Sequence, residues 1–104
     1  METKIDLPIH QIKEFCKKWQ ITTFSLFGSI LRDDFHSDSD VDVLVTFAPN
    51  AQWSLFDHVD MQDELKSIFG RKVDLLTQEG LNKSRNYIRK QAIFDSARVI
   101  YATS

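Results

Sequence analysis

The stretch Asp40-Val41-Asp42-Val43-Leu44-Val45-Thr46-Phe47 decides the reading of this chain, because it is composed as a strand and yet carries two charges. Valine, threonine and phenylalanine suit a pleated, half-buried backbone, and Ala48-Pro49-Asn50 closes the run. Successive strand side chains point to opposite faces. Val41, Val43 and Val45 therefore line one face, while Asp40 and Asp42 project from the other, about 7 Å apart. Aspartate is a poor strand former and like charges repel, so some opposite charge is expected to offset this local cost. A divalent cation is the natural candidate. Mg²⁺ prefers oxygen ligands and commonly takes one or two carboxylates, completing its shell with water and substrate phosphate.

A third carboxylate, Asp74, interrupts the apolar run Lys72 to Thr77 (KVDLLT), which reads as another strand. If the two strands are neighbours, all three acids meet. They can then hold two ions roughly 4 Å apart, one lowering the pKa of an attacking hydroxyl and the other neutralising a leaving pyrophosphate. Asp74 would assist the attacking hydroxyl. No covalent enzyme intermediate is needed, because phosphoryl transfer is catalysed mostly by positioning and charge neutralisation.

Upstream, Thr22 to Phe27 (TTFSLF) reads as a strand that Gly28 breaks, and a short helix is expected from Ser29 to about Asp34. Exposed N–H groups and the helix dipole at such a turn favour anions, so Gly28-Ser29 is a candidate phosphate site. Glycine allows close backbone approach, Ser29 can donate its hydroxyl, and Arg32 could reach the same anion with its planar fork of donors. Arg32 fits equally well an ion pair with Asp33, Asp34 or Asp38. The polar stretch His36-Ser37-Asp38-Ser39 reads as a turn. Ser39, at the mouth of the acidic strand, suits a turn or cap and is also a candidate nucleotide contact.

The remaining chain supplies helices and one further edge. Pro8 can sit in a first helical turn, with Ile9, Ile12, Phe15, Cys16 and Trp19 recurring along one face. A second long helix is expected from about Ser54 to Phe69, turning Leu55, Phe56, Val59, Leu65, Ile68 and Phe69 inward and ending at a Gly70 cap. A last helix is expected from about Ser84, with Tyr87 or Ile88, Ala92 and Ile93 inward. Arg98 to Tyr101 (RVIY) fits either a helix end or a strand. Strands alternating with helices make a small sheet covered by helices, an α/β layer arrangement.

Composition bounds the function. The 104 residues, 42% hydrophobic and 27% charged, suit a single domain over 1–104. With 13 Lys and Arg against 15 Asp and Glu, the formal charge of -2 gives no electrostatic reason to expect direct nucleic-acid binding. No apolar run approaches the roughly 20 residues that span a bilayer, and Met1-Glu2-Thr3-Lys4 lacks a signal-peptide pattern, so no membrane association and a cytoplasmic location are expected. The lone Cys16 reads as a packed thiol. His10, His36 and His58 lack metal-ligand spacing. The basic run from Lys83 to Lys90 reads mainly as a solvated helix face. The two tryptophans read mostly as core, though Trp53, in a polar loop, could serve an interface.

Gly28-Ser29, ten intervening residues, Asp40-Val41-Asp42 with Val43-Leu44-Val45, and a later Val73-Asp74-Leu75 together resemble the nucleotidyltransferase fold of the DNA polymerase β superfamily. The resemblance spans about Phe24 to Leu76. Within that superfamily the short chain is similar to the minimal nucleotidyltransferases of HEPN/MNT toxin–antitoxin pairs. The resemblance implies an α/β (α+β) fold, a small mixed β-sheet flanked by helices. It implies ATP as cosubstrate, Mg²⁺ as cofactor, and transfer of AMP to a tyrosine of a partner HEPN ribonuclease toxin held in a hetero-oligomer. Gly28 and Ser29 match the phosphate-contacting turn, Asp40 and Asp42 the metal carboxylates, Asp74 the third acid, and Arg32 a frequent arginine. Many relatives resemble Gly-Ser-x-Ala-Arg-Gly, whereas Leu31 and Asp33 stand here in place of the alanine and the last glycine. Two alternatives stand beside this reading. A binding-only antitoxin would keep the acids as a relic, and a drug-modifying nucleotidyltransferase would need a further helical domain for its acceptor.

Overall fold

Val41, Val43 and Val45 are buried on one face of the strand that Asp42 interrupts, as alternation requires. The computed structural model describes residues 7–28 and 40–103. In chain order these form α1 (Ile9–Lys18), β1 (Ile21–Phe27), β2 (Val41–Phe47), α2 (Leu55–Phe69), β3 (Val73–Thr77), α3 (Gln78–Asn82), α4 (Tyr87–Ser96) and β4 (Arg98–Ala102). The expected helix from Ser29 and the turn at His36 to Ser39 lie outside the described residues.

The strands form one mixed sheet in the order β3-β2-β1-β4. β1 runs antiparallel to both β2 and β4, and β2 runs parallel to β3 with α2 as the crossover. The tail Arg98 to Tyr101 thus resolves as strand: β4 hydrogen-bonds to β1, pairing Phe24 with Tyr101 and Leu26 with Arg98. Nothing local to RVIY distinguishes strand from helix end. The open edge of β1 does.

Two cores sandwich the sheet. On the valine face, Phe24, Leu26, Val41, Val43, Val45, Val73 and Leu75 pack against Ile12, Phe15 and Cys16 of α1 and Met61 and Leu65 of α2. On the other face, Phe27 and Leu44 meet Leu81 of α3 and Ile93 of α4. α3 was not expected from the sequence. At five residues it is too short to show periodicity, and it is held by the Thr77 hydroxyl accepting from the Gly80 N–H at 3.0 Å.

The faces of the two later helices correct the sequence expectation in part. α2 begins and ends as expected, with a capping box in which Ser54 and Asp57 satisfy each other's backbone, and with Gly70 left-handed at φ 70°. Leu65 is buried, and Ile68 and Phe69 pack against the core, but Leu55, Phe56 and Val59 are exposed by 76%, 82% and 51%. A helix turns about 100° per residue, so with Met61 and Leu65 pointing inward Val59 falls on nearly the opposite side. The same geometry in α4 seats Ile93 and leaves Tyr87, Ile88 and Ala92 exposed. Ile9 of α1 is likewise at the surface, 39% exposed.

Trp53 is half-buried and packs on Trp19, in keeping with the expected core role. Its indole stands edge-on to Trp19, with ring centroids 5.1 Å apart, and its Nε1 donates to the Trp19 carbonyl at 3.0 Å. Trp19 in turn donates from Nε1 to the Glu64 carboxylate at 2.9 Å, which also accepts from Lys18 at 3.0 Å. Truncating Glu64 would strand a buried indole N–H. We expect Glu64→Ala to cost about 1–3 kcal/mol in urea unfolding, and Glu64→Gln, which keeps an acceptor, to recover most of it. Equal losses for the two variants would contradict this.

Cys16 is fully buried, and burial pushes its thiol from the ordinary 9.0 up to about 12. Between those values the unfolded chain has released a proton that the folded chain keeps. The contribution of Cys16 to stability is therefore level below pH 9.0 and is lost as pH rises towards 12. The slope is at most about 1.4 kcal/mol per pH unit. Urea unfolding between pH 8 and 11 is expected to show a steeper alkaline loss for the native chain than for Cys16→Ala, and parallel curves would contradict it.

Candidate active site

Asp42 and Asp74 are Cα partners across the parallel β2–β3 pair, with Val41 opposite Val73 and Val43 opposite Leu75 on either side. Partners in a parallel ladder present their side chains to the same face at a strand spacing of about 5 Å. The two carboxylates thus stand side by side on the face opposite the valine core. Asp40 immediately precedes β2, two residues before Asp42, and alternation puts it on that face about 7 Å along. Asp40 and Asp42 are partly buried and Asp74 is exposed, so solvent reaches the group. Among the described residues no three carboxylate, imidazole or thiol side chains stand close enough to form a ready ligand set for an ion.

Gly28 supports this row from below. It follows β1, whose Phe27 is the Cα partner of Asp42 on the other side. Its φ of 77° lies in the left-handed region that glycine enters without steric cost. A Cβ built there would overlap Oδ2 of Asp42 and lie 3.2 Å from its Cγ. The glycine is required twice, by its backbone and by the carboxylate resting on it. Neither requirement is the one expected from the sequence, which was close approach of a phosphate to the backbone. Ser29, Arg32 and Ser39, the other candidate contacts, lie outside the described residues.

A cavity of about 690 Å³ opens elsewhere, at the far ends of β2 and β3, lined by residues that include Phe47, Trp53, His58, Met61 and Thr77. It contains none of the three acids. The N-terminus of α2, on its wall, is closed to anions because Asp57 already accepts from the Ser54 N–H at 2.9 Å and from its hydroxyl at 3.1 Å. The cavity is thus separate from the face that carries Asp42 and Asp74. The basic run is engaged locally: Lys83 pairs with Glu79 at 3.1 Å and Lys90 donates to the Asn82 carbonyl at 3.3 Å.

The profile of the nucleotidyltransferase domain matches residues 9–99, and the chain belongs to that family. A Methanocaldococcus jannaschii protein, provisionally named a protein adenylyltransferase, is 32% identical over 73 residues, covering 70% of this chain and 71% of its own. The protein adenylyltransferase MntA of Thermococcus cleftensis is 32% identical over 69 residues, covering 66% and 68%. Among solved structures, a toxin–antitoxin crystallised with AMP-PNP superposes with a TM-score of 0.71 at 20% identity, over 94% of this chain and 76% of that one. The complex of a tri-AMPylated Shewanella oneidensis HEPN toxin with its MNT antitoxin gives 0.64 at 18%, over 91% and 70%. At these identities the structural matches establish the fold, the expected mixed sheet flanked by helices. No helix of the described residues is long and apolar enough to cross a membrane.

Proposed function

We propose that this chain is a protein adenylyltransferase and the antitoxin of a toxin–antitoxin pair, moving AMP from Mg-ATP onto a tyrosine hydroxyl of a HEPN ribonuclease partner and so silencing it. The observation that carries the reading is the in-register pairing of Asp42 with Asp74 against the Gly28 backbone, in a nucleotidyltransferase chain. The names of its relatives and the partners in the similar complexes support the choice of acceptor.

In the transfer, the tyrosine oxygen bonds to the α-phosphorus, the bond from that phosphorus to the oxygen bridging to the β-phosphate breaks, and pyrophosphate departs with the electron pair. Asp74 is proposed to take the hydroxyl proton and pass it to solvent, a role that its exposure beside Asp42 supports. Asp42 and Asp74, paired hard oxygen donors on a solvent-reached face, fit Mg²⁺, which commonly takes one or two carboxylates and fills its shell with water and phosphate oxygens, and Asp40 is proposed as a further ligand. Bound there, Mg²⁺ supplies neutralisation of the phosphate charge and a lower pKa for the attacking hydroxyl. Gly28 lets a phosphate approach the backbone, and Ser29, Arg32 and Ser39 are proposed to complete its cradle. The reading places the protein in the cytoplasm with its toxin.

Incubation of the chain with α-labelled ATP, Mg²⁺ and the toxin encoded beside it is expected to label the toxin. Absence of label, or equal labelling by Asp42→Asn, would overturn the reading.

A further inference from the structure

The acid face carries one cation among its described residues that the reading above leaves without a role. Lys72 immediately precedes β3, and its carbonyl accepts from the Val41 N–H at 3.0 Å, extending the β2–β3 register by one step. Asp42 lies opposite Asp74, so Lys72 lies opposite Asp40, and alternation puts it on the same face as Asp74. The face is thus a square of two rows, Asp42 beside Asp74 and Asp40 beside Lys72. Lys72 is exposed, and no ion pair engages it among the described residues.

The spacing of the rows decides what the ammonium can reach. On the nucleotidyl-transfer reading the α-phosphate reacts at the Asp42–Asp74 row, where attack is assisted. The second row is about 7 Å further along the strands, towards the end of the sheet where Gly28 follows Phe27, the Cα partner of Asp42, and phosphates held by the Gly28 turn would extend to that end. A lysine ammonium on a flexible stem is a point-charge donor suited to such oxygens. We propose that Lys72 binds the β- and γ-phosphates of the incoming nucleotide and retains contact with pyrophosphate as it leaves. This rests on the nucleotidyl-transfer reading above. It adds a phosphate-binding residue immediately before β3, remote in sequence from the Gly28-Ser29 turn. A lysine that only relieved repulsion among the acids would not discriminate between nucleotides by their phosphate number.

The test measures equilibrium binding of AMP-PNP and of AMP to the full chain in Mg²⁺, by calorimetry, for the native protein, Lys72→Met and Lys72→Arg. Loss of one charge-assisted contact is expected to weaken AMP-PNP by about 10- to 100-fold in Lys72→Met while AMP changes less than about threefold. Lys72→Arg is expected to restore most of the loss, because it keeps the charge. Equal AMP-PNP affinity in native and Lys72→Met protein, or equal weakening of AMP-PNP and AMP, would overturn the proposal. If the native chain labels the toxin but the variants bind AMP-PNP alike, Lys72 has no such role and the transfer reading stands. If AMP-PNP binding falls selectively in Lys72→Met but no toxin is labelled, the phosphate contact stands and the acceptor is wrong. A native chain that binds no AMP-PNP would overturn both.

Discussion

Asp42→Asn is expected to lower AMP transfer to the toxin by about a thousandfold or more while leaving the fold intact. The substitution changes no volume, but it removes a full negative charge from the residue that touches Gly28 on one strand and pairs with Asp74 on the next. An amide is a poor ligand for a hard divalent cation, so charge neutralisation in the transition state suffers most. The amide keeps the shape and hydrogen-bonding capacity of the carboxylate, so the variant is expected to unfold at a urea concentration close to that of the native chain. A quantitative transfer assay checks the first part and equilibrium unfolding the second. Cell survival adds a discrimination. If Asp40→Asn and Asp42→Asn together still neutralise the toxin, the protein protects by occlusion and the transfer reading falls.

Gly28→Ala is expected to have the second largest effect, on activity and stability together. An alanine at φ 77° costs about 1–2 kcal/mol in backbone strain alone. Its Cβ would also occupy the space of the Asp42 carboxylate, which must move. A displacement of about 1 Å at a catalytic group costs roughly a hundredfold in rate. Gly70 is the internal control. It has a φ of 70°, and nothing lies within 4 Å of a Cβ built there. Gly70→Ala is therefore expected to lose a similar amount of stability, about 1 kcal/mol, with transfer unaffected. Equal activity losses at the two glycines would mean that the contact with Asp42 has no functional weight.

These contrasts mark where the sequence was legible. The Asp-x-Asp strand could be read because alternation is a local property of extended backbone, and β2 and β3 fall within a residue of the expected limits. Ser54 and Gly70 were legible because caps are chosen by residue type. The inward faces of α2 and α4 were not. Both carry apolar residues on more than one side, and which side turns inward depends on what the sheet offers. Phe56 and Ile88 stay exposed for that reason, by 82% and 86%. α3 was missed because a five-residue helix has no period to detect.

By itself, the sequence determined the strands that carry the acids and the face on which Asp40 and Asp42 stand, since both follow from backbone preferences acting over a few residues. Tertiary structure alone decided that β3 lies beside β2 in a register that pairs Asp42 with Asp74 and places Lys72 next to Asp40. It also decided that Gly28 lies beneath the Asp42 carboxylate and that β4 closes the sheet on β1. The physical reason is that a shift of one residue between β2 and β3 would turn Val73 and Leu75 out of the core and Asp74 into it. The burial of those apolar side chains, contributed by segments distant in sequence, therefore fixes where the charges meet.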